Sequence, residues 1–267
     1  MIRNGIPGSS RELPVGFMDS GLGGLSVLRE AVRIMPAEDF IYFGDSLNAP
    51  YGTKEQEVIR ELTFAVVENL MKQGIKGLAV ACNTATSAAV RLLRGMYPEL
   101  PIVGIEPAVK PAVVSSHGGR ILVMATPMTI AQEKYHALLE QYRDQAEIIS
   151  VPCGGLMEFV EQGKFDGEQL DTYFREHLMP FLTEDTETIV LGCTHYPFLR
   201  PQLREFLGER PIQLIDGSYG TSMELKRRLK VKDLLREEGR KGEVNIQNSS
   251  GSQAMIDRSY ELLAMPF

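Results

Sequence analysis

The sequence predicts an α/β fold of two similar lobes, each a mainly parallel sheet flanked by helices. Three observations predict it. Short apolar runs stop at small or polar residues, amphipathic stretches of helical length separate them, and one strand-to-cysteine motif occurs twice. The runs lie at 15–18, 40–43, 77–81, 102–105, 121–125, 148–151, 188–191 and 213–215. Several are apolar at consecutive positions, as strands buried on both faces of a parallel sheet are. Between them, segment 54–73 places Val58, Leu62, Ala65, Val66, Asn69 and Leu70 near one helical face. Segments 129–143 and 167–182 are also read as helices. Alternating strand and helix gives parallel sheets with right-handed crossovers.

The repeated motif sets the domain organisation. Gly77-Leu-Ala-Val-Ala-Cys82-Asn-Thr84 is echoed by Thr188-Ile-Val-Leu-Gly-Cys193-Thr-His195. Each is a buried strand ending in a small residue, a cysteine and two polar residues. The spacing between them is about that of one α/β domain. Residues 1–106 with 216–267 are therefore expected to form one lobe and 107–215 a second lobe inserted in it. The first 13 residues read as a flexible lead-in with no apolar signal-peptide region.

With 267 residues, 43% hydrophobic and 24% charged, the chain can bury a core and is not expected to be disordered. Its net charge of -7 argues against direct nucleic-acid binding through phosphate contacts. No apolar stretch approaches the roughly 18 residues needed to span a membrane. A soluble, cytoplasmic protein with reduced thiols is expected. The three cysteines, Cys82, Cys153 and Cys193, contain no Cys-x-x-Cys pair, so neither a disulfide framework nor a metal site is expected.

Ligands of parallel α/β sheets bind beyond the carboxyl ends of the strands. The residues there are Asp19-Ser20, Asp45, Cys82-Asn83-Thr84, Glu106, Thr126 and Cys193-Thr194-His195. Cys82 and Cys193 can be read as ordinary small core residues. As a matched pair at strand tips beside polar groups, they read better as two acid/base groups for one carbon. Two such groups on opposite faces invert a stereocentre: one removes a proton and the other returns one. A free thiol has a pKa of about 8.5, and a helix N-terminus supplies only about 0.3–1 kcal/mol, less than one pKa unit. Asp19, Asp45, Glu161, His195 or a substrate ammonium must therefore help. Cys153 reads as a small, partly buried structural residue.

The turn Met18-Asp-Ser-Gly-Leu-Gly-Gly24 offers backbone amides that could hold a carboxylate. It lacks the dinucleotide fingerprint, because Ser26 stands where the last glycine is needed. No lysine follows a strand in a setting that suggests a pyridoxal Schiff base. Asp19 could alternatively be a helix N-cap, as could Asn83, Thr84, Thr126 and Thr194.

These motifs carry a family resemblance. FMDSGLGGLSVL at 17–28, YFGDSLNAPYGTK at 42–54, VACNTATSAA at 80–89 and LGCTHYPFL at 191–199 resemble the glutamate racemase family, within the aspartate/glutamate racemase superfamily. The likeness runs from about Val15 to Asp216 and weakens from about Glu243. It implies two α/β lobes with the site in the cleft between them, and reversible interconversion of L- and D-glutamate for peptidoglycan synthesis without cofactor. It implies Cys82 as the base toward D-glutamate, assisted by Asp19, and Cys193 as the base toward L-glutamate, assisted by His195. Asp45 and Glu161 fit acidic tuning positions. Asp19, Ser20, Pro50, Tyr51, Gly52, Asn83, Thr84, Thr126, Thr194 and His195 fit substrate-contacting positions. Homodimers are common in the family, and some members bind DNA gyrase, a partner these residues give no support for.

Three rival functions stand beside this one. They are racemisation of aspartate or another acidic amino acid, a non-catalytic partner-binding role, and a one-cysteine hydrolase. Against the hydrolase, His195 lies only two residues past Cys193 and need not reach its sulfur.

Overall fold

The computed structural model describes residues 10–237 and 239–266. They form two compact units: residues up to Ile105 with Ser218–Ala264, and Glu106–Gly217 with the last residues from Met265. Most of the expected lead-in lies outside the described residues. Its end is not loose. Ser10–Glu12 form a 3-10 turn, Arg11 pairs with Asp233, and Lys76 Nζ donates to the Arg11 carbonyl at 2.5 Å.

The first unit runs β1 (Val15–Asp19), α1 (Leu25–Ile34), β2 (Phe40–Gly44), α2 (Gln56–Lys72), β3 (Gly77–Val80), α3 (Asn83–Met96) and β4 (Ile102–Gly104). The second runs α4 (Val109–Ser115), β5 (Arg120–Ala125), α5 (Pro127–Ala131), α6 (Glu133–Glu140), β6 (Ile148–Pro152), α7 (Leu156–Glu161), α8 (Glu168–His177), β7 (Thr186–Leu191), α9 (Arg200–Leu207) and β8 (Gln213–Asp216). The chain then returns to the first unit with α10 (Ser218–Val231), β9 (Val244–Asn248) and α11 (Gln253–Ala264).

The strand orders are β4-β3-β1-β2-β9 and β6-β5-β7-β8, and every pairing is parallel. All carboxyl ends of a sheet therefore lie along one edge. β1, β2 and β3 are almost wholly buried, which explains their unbroken apolar runs. Leu78, Val80, Ala85 and Ala89 pack with Val67 and Leu70 in the first core. Ile121, Val123, Val190 and Tyr135 build the second.

Several elements differ from their sequence readings. β9 has no apolar run, because it is an edge strand in which only Ile246 is buried. α2 buries Ile59, Thr63, Val66, Val67 and Leu70, while Val58 and Ala65 face solvent. The buried stripe is thus rotated by about one position, and the polar Thr63 enters it by donating to the Ile59 carbonyl at 2.7 Å. The helix expected over 129–143 is broken at Gln132, whose backbone is extended with φ -78° and ψ 134°. α8 ends at His177, and a 3-10 turn holding Pro180, which has no amide to donate, replaces its last stretch.

At the amino ends of β2 and β3 the first unit buries an ion pair. Lys76 Nζ lies 2.5 Å from Glu38 Oε2, and the side chains are 0% and 2% exposed. Arg236 N donates to Glu38 Oε1 at 2.8 Å. Among the described residues no helix is long and apolar enough to cross a membrane.

Candidate active site

In the first unit β3 runs through Ala81 into Cys82, which is the N-cap of α3. The Cys82 sulfur accepts from Ala85 N at 3.5 Å and lies 3.4 Å from Ser20 Oγ. An anionic sulfur is favoured at that helix end. Neighbouring β1 ends at buried Asp19, whose Oδ2 accepts from Gly21 N at 2.9 Å. Asp19 is not the N-cap of α1; Gly24 is. Nor is the Gly21 amide open to a substrate carboxylate, since Asp19 has taken it. Tyr42 OH pins the same turn by donating to the Gly21 carbonyl at 2.8 Å. A Cβ on Gly24 would stand 2.7 Å from Asp19 Cβ and 2.8 Å from Ala81 Cβ, so only glycine lets α1 start this close.

β2 delivers Asp45, whose N–H donates to the Asp19 carbonyl at 2.9 Å. Its carboxylate accepts Tyr51 OH at 2.7 Å and Asn48 Nδ2 at 3.0 and 3.1 Å. Pro50 follows a cis peptide, Gly52 is half-buried, and Tyr51 is buried in the same core as Cys82. Burial, then the bond to Asp45, then the charges of Cys82 and Asp19 hold the Tyr51 hydroxyl protonated far above its usual range. Asp45 thus acts on Tyr51 directly. Asn83 and Thr84 open α3, with Thr84 buried.

In the second unit β7 runs through Gly192 into Cys193. A Cβ at Gly192 would meet the Met124 carbonyl at 2.7 Å. Cys193 Sγ lies 3.7 Å from His195 Nδ1, and His195 Nε2 lies 2.7 Å from Glu161 Oε1 at the end of α7. The expectation that His195 need not reach the sulfur is overturned. Its backbone is already helical at φ -75° and ψ -34°, which turns the ring back over Cys193. Burial works against the imidazolium, but the bonds and charges of Cys193 and Glu161 outweigh it and raise the His195 pKa well above its ordinary value. Thr194 is buried, and Thr126 caps α5 by accepting from Thr129 N at 3.2 Å.

Cys153 also follows a strand, β6, and so all three cysteines stand at strand ends. It is fully rather than partly buried, and burial pushes its thiol up to about 12. It is the inert member of the three. Among the described residues no three His, Cys, Asp or Glu side chains group as a metal ion would require.

The model of the Asp/Glu/Hydantoin racemase family matches residues 15–218. The chain belongs to this racemase family. A glutamate racemase of Clostridium botulinum (strain Alaska E43 / Type E3) is 50% identical over 250 residues, covering 94% of this chain and 96% of the relative. A glutamate racemase of Francisella tularensis, solved in complex with D-glutamate, aligns with a TM-score of 0.81 at 27% identity, over 96% of both chains. The Escherichia coli glutamate racemase, solved with L-glutamate and the activator UDP-MurNAc-ala, aligns with a TM-score of 0.79 at 26% identity, over 94% of both chains. The chain is an isomerase of the racemase class with the two-lobed α/β fold.

Within this racemase fold, sequence reasoning missed four supporting side chains. They are Tyr42 on the Gly21 carbonyl, Asn48 on Asp45, Thr129 on Thr126, and Tyr196, whose OH donates to the Cys153 carbonyl at 2.9 Å. Tyr42, Asn48 and Tyr196 lie inside the quoted motifs, and their position beside Asp45 and His195 was the available signal. The Glu161–His195 pair yields a pH prediction. A histidine with a raised folded pKa keeps its stabilising proton below its unfolded value and loses it as pH rises through the folded one. Glu161→Gln removes one of the two groups holding that proton. The alkaline limb of the racemisation rate is expected to move to lower pH, and the His195 ring resonances to titrate lower with it. An unmoved alkaline limb with a lowered ring titration would separate His195 protonation from turnover.

Proposed function

We propose that the chain interconverts L- and D-glutamate with Cys82 and Cys193 as its two bases and no cofactor, supplying D-glutamate for peptidoglycan synthesis. The observation that carries the reading is the matched placement of the two thiols. Each unit ends an interior strand, β3 or β7, in a cysteine that meets a polar partner: Ser20 Oγ for Cys82 and His195 for Cys193. Glutamate is favoured as substrate by the relatives, whose names and bound ligands specify it.

With D-glutamate bound, the Cys82 thiolate takes the α-proton and becomes a thiol. The electron pair left on Cα is delocalised into the α-carboxylate. The Cys193 thiol then gives its proton to the opposite face, forming L-glutamate and leaving a Cys193 thiolate. Conversion of L-glutamate runs the same transfers backwards. Asp19 assists Cys82, and His195 holds or returns a proton at the Cys193 sulfur. Asp45 and Glu161 act through Tyr51 and His195. Ser20, Pro50, Tyr51, Gly52, Asn83, Thr84, Thr126 and Thr194 are proposed, with Asp19 and His195, to bind the substrate. The enzyme works as a cytoplasmic homodimer.

The test is incubation of D-glutamate with the purified protein in heavy water, with no additive. L-glutamate should form with deuterium at Cα. Aspartate and other acidic amino acids run in parallel by circular dichroism. Faster turnover of aspartate would replace glutamate as substrate, and turnover of none of them would end the acidic amino-acid reading.

A further inference from the structure

Between β2 and Tyr51 the chain passes through Asp45-Ser46-Leu47-Asn48, and the end of β9 grips this stretch from outside. Gly44 and Asn248 are partners in the β2–β9 register. Beyond that pair, Ser249 N donates to the Gly44 carbonyl at 3.0 Å, and Leu47 N donates to Ser249 Oγ at 3.0 Å. Asn248 Nδ2 donates to Ser46 Oγ at 2.8 Å. The Asn248 amide is itself fixed, because its Oδ1 accepts Ser250 N at 3.0 Å and Ser250 Oγ at 2.7 Å. On the inner side of the same loop, Asp45 holds Tyr51 OH, and α3 packs against the Tyr51–Thr53 turn beside Cys82.

The β2–β9 ladder is made by backbone groups and does not need the Asn248 side chain. That side chain instead ties two loops together at the edge where the strands end. We propose that Asn248 is a positioning residue for the Cys82 thiol, acting through Ser46 on Asp45 and Tyr51. The proposal rests on Cys82 being an acid/base group of the racemase. A side-chain amide held on both faces has one orientation, so it fixes Ser46 and with it the backbone that carries the neighbouring Asp45. Removing the tie lets the 45–51 loop shift, and misplacement of about 1 Å at a reacting group can cost about a hundredfold in rate.

The test compares Asn248→Ala with the parent protein in two measurements. The first follows alkylation of each cysteine by iodoacetamide, peptide by peptide and without substrate. Cys82 should react at least about threefold faster once the loop that seats Tyr51 loosens, with Cys193 unchanged. The second is glutamate racemisation, where kcat should fall about tenfold with KM within about twofold. In a Tyr51→Phe background the Asn248→Ala effect on kcat should shrink to within about twofold, because both changes interrupt one chain of contacts. A lower melting temperature with Cys82 alkylation unchanged overturns the proposal, and so does full additivity with Tyr51→Phe. If Asn248→Ala does not fold, Ser46→Ala removes the same bond and carries the same expectations. A parent protein that fails to racemise glutamate ends the functional reading, while the alkylation arm still decides the role of Asn248.

Discussion

Cys82→Ser and Cys193→Ser are each expected to lower glutamate racemisation by about 10³-fold or more, within the range that one acid/base group contributes. Serine keeps the shape at a slightly smaller volume and can still accept from Ala85 N or face His195, but its hydroxyl ionises far less readily than a thiol. The two losses should differ in kind. Cys82→Ser retains the base assigned to L-glutamate, so slow exchange of the L-glutamate α-hydrogen with heavy water should survive. Cys193→Ser should retain only exchange of D-glutamate. Cys153→Ser is the control: that thiol is fully buried and its pKa is pushed up to about 12, so activity should stay within about twofold. Full racemisation by either serine variant would falsify the two-base scheme.

The largest stability effect is expected far from that chemistry, at the amino ends of β2 and β3. Glu38→Ala should destabilise the protein by about 3–5 kcal/mol, because it strands a buried ammonium. Burial already lowers the Lys76 pKa even with Glu38 beside it. A lysine with a depressed folded pKa binds its proton more weakly folded than unfolded. Stability therefore rises with pH from the folded value up to the unfolded value of about 10.4. Without Glu38 the folded value falls further, so the loss should be greatest at acidic pH and shrink toward alkaline pH. Urea midpoints at about pH 6 and about pH 9 measure this. Equal losses at both would show that Lys76 is not the stranded group. Pairing Glu38→Leu with Lys76→Met should recover much of the loss, as replacing both partners of a buried pair often does.

The fold was legible where burial is two-sided. β1, β3, β5 and β7 are covered on both faces, so composition alone announced them. β9 was invisible for the opposite reason: an edge strand with one buried residue has no apolar signature. The face of α2 was misread because it carries two apolar stripes, and only packing against the sheet selects the one through Ile59 and Val67. At the site, the cysteines were legible as strand-tip residues. Their partners were less so. The reach of His195 depends on a helical backbone directly after Thr194, and the bond from Tyr51 to Asp45 depends on how the intervening loop folds. Spacing in sequence fixes neither.

The interrupted first unit has a consequence for biosynthesis. Glu106–Gly217 is one continuous stretch, whereas the first unit is closed by α10, β9 and α11, which leave the ribosome after it. The sheet of the inserted unit can be complete while β2 still lacks its neighbour and presents an open strand edge, a template for aggregation. A nascent chain halted before Val244 would expose that edge and lack the amide that clamps Ser46. Maturation of the Cys82 side should therefore trail that of the Cys193 side, and chaperone capture during translation should peak in the interval between them.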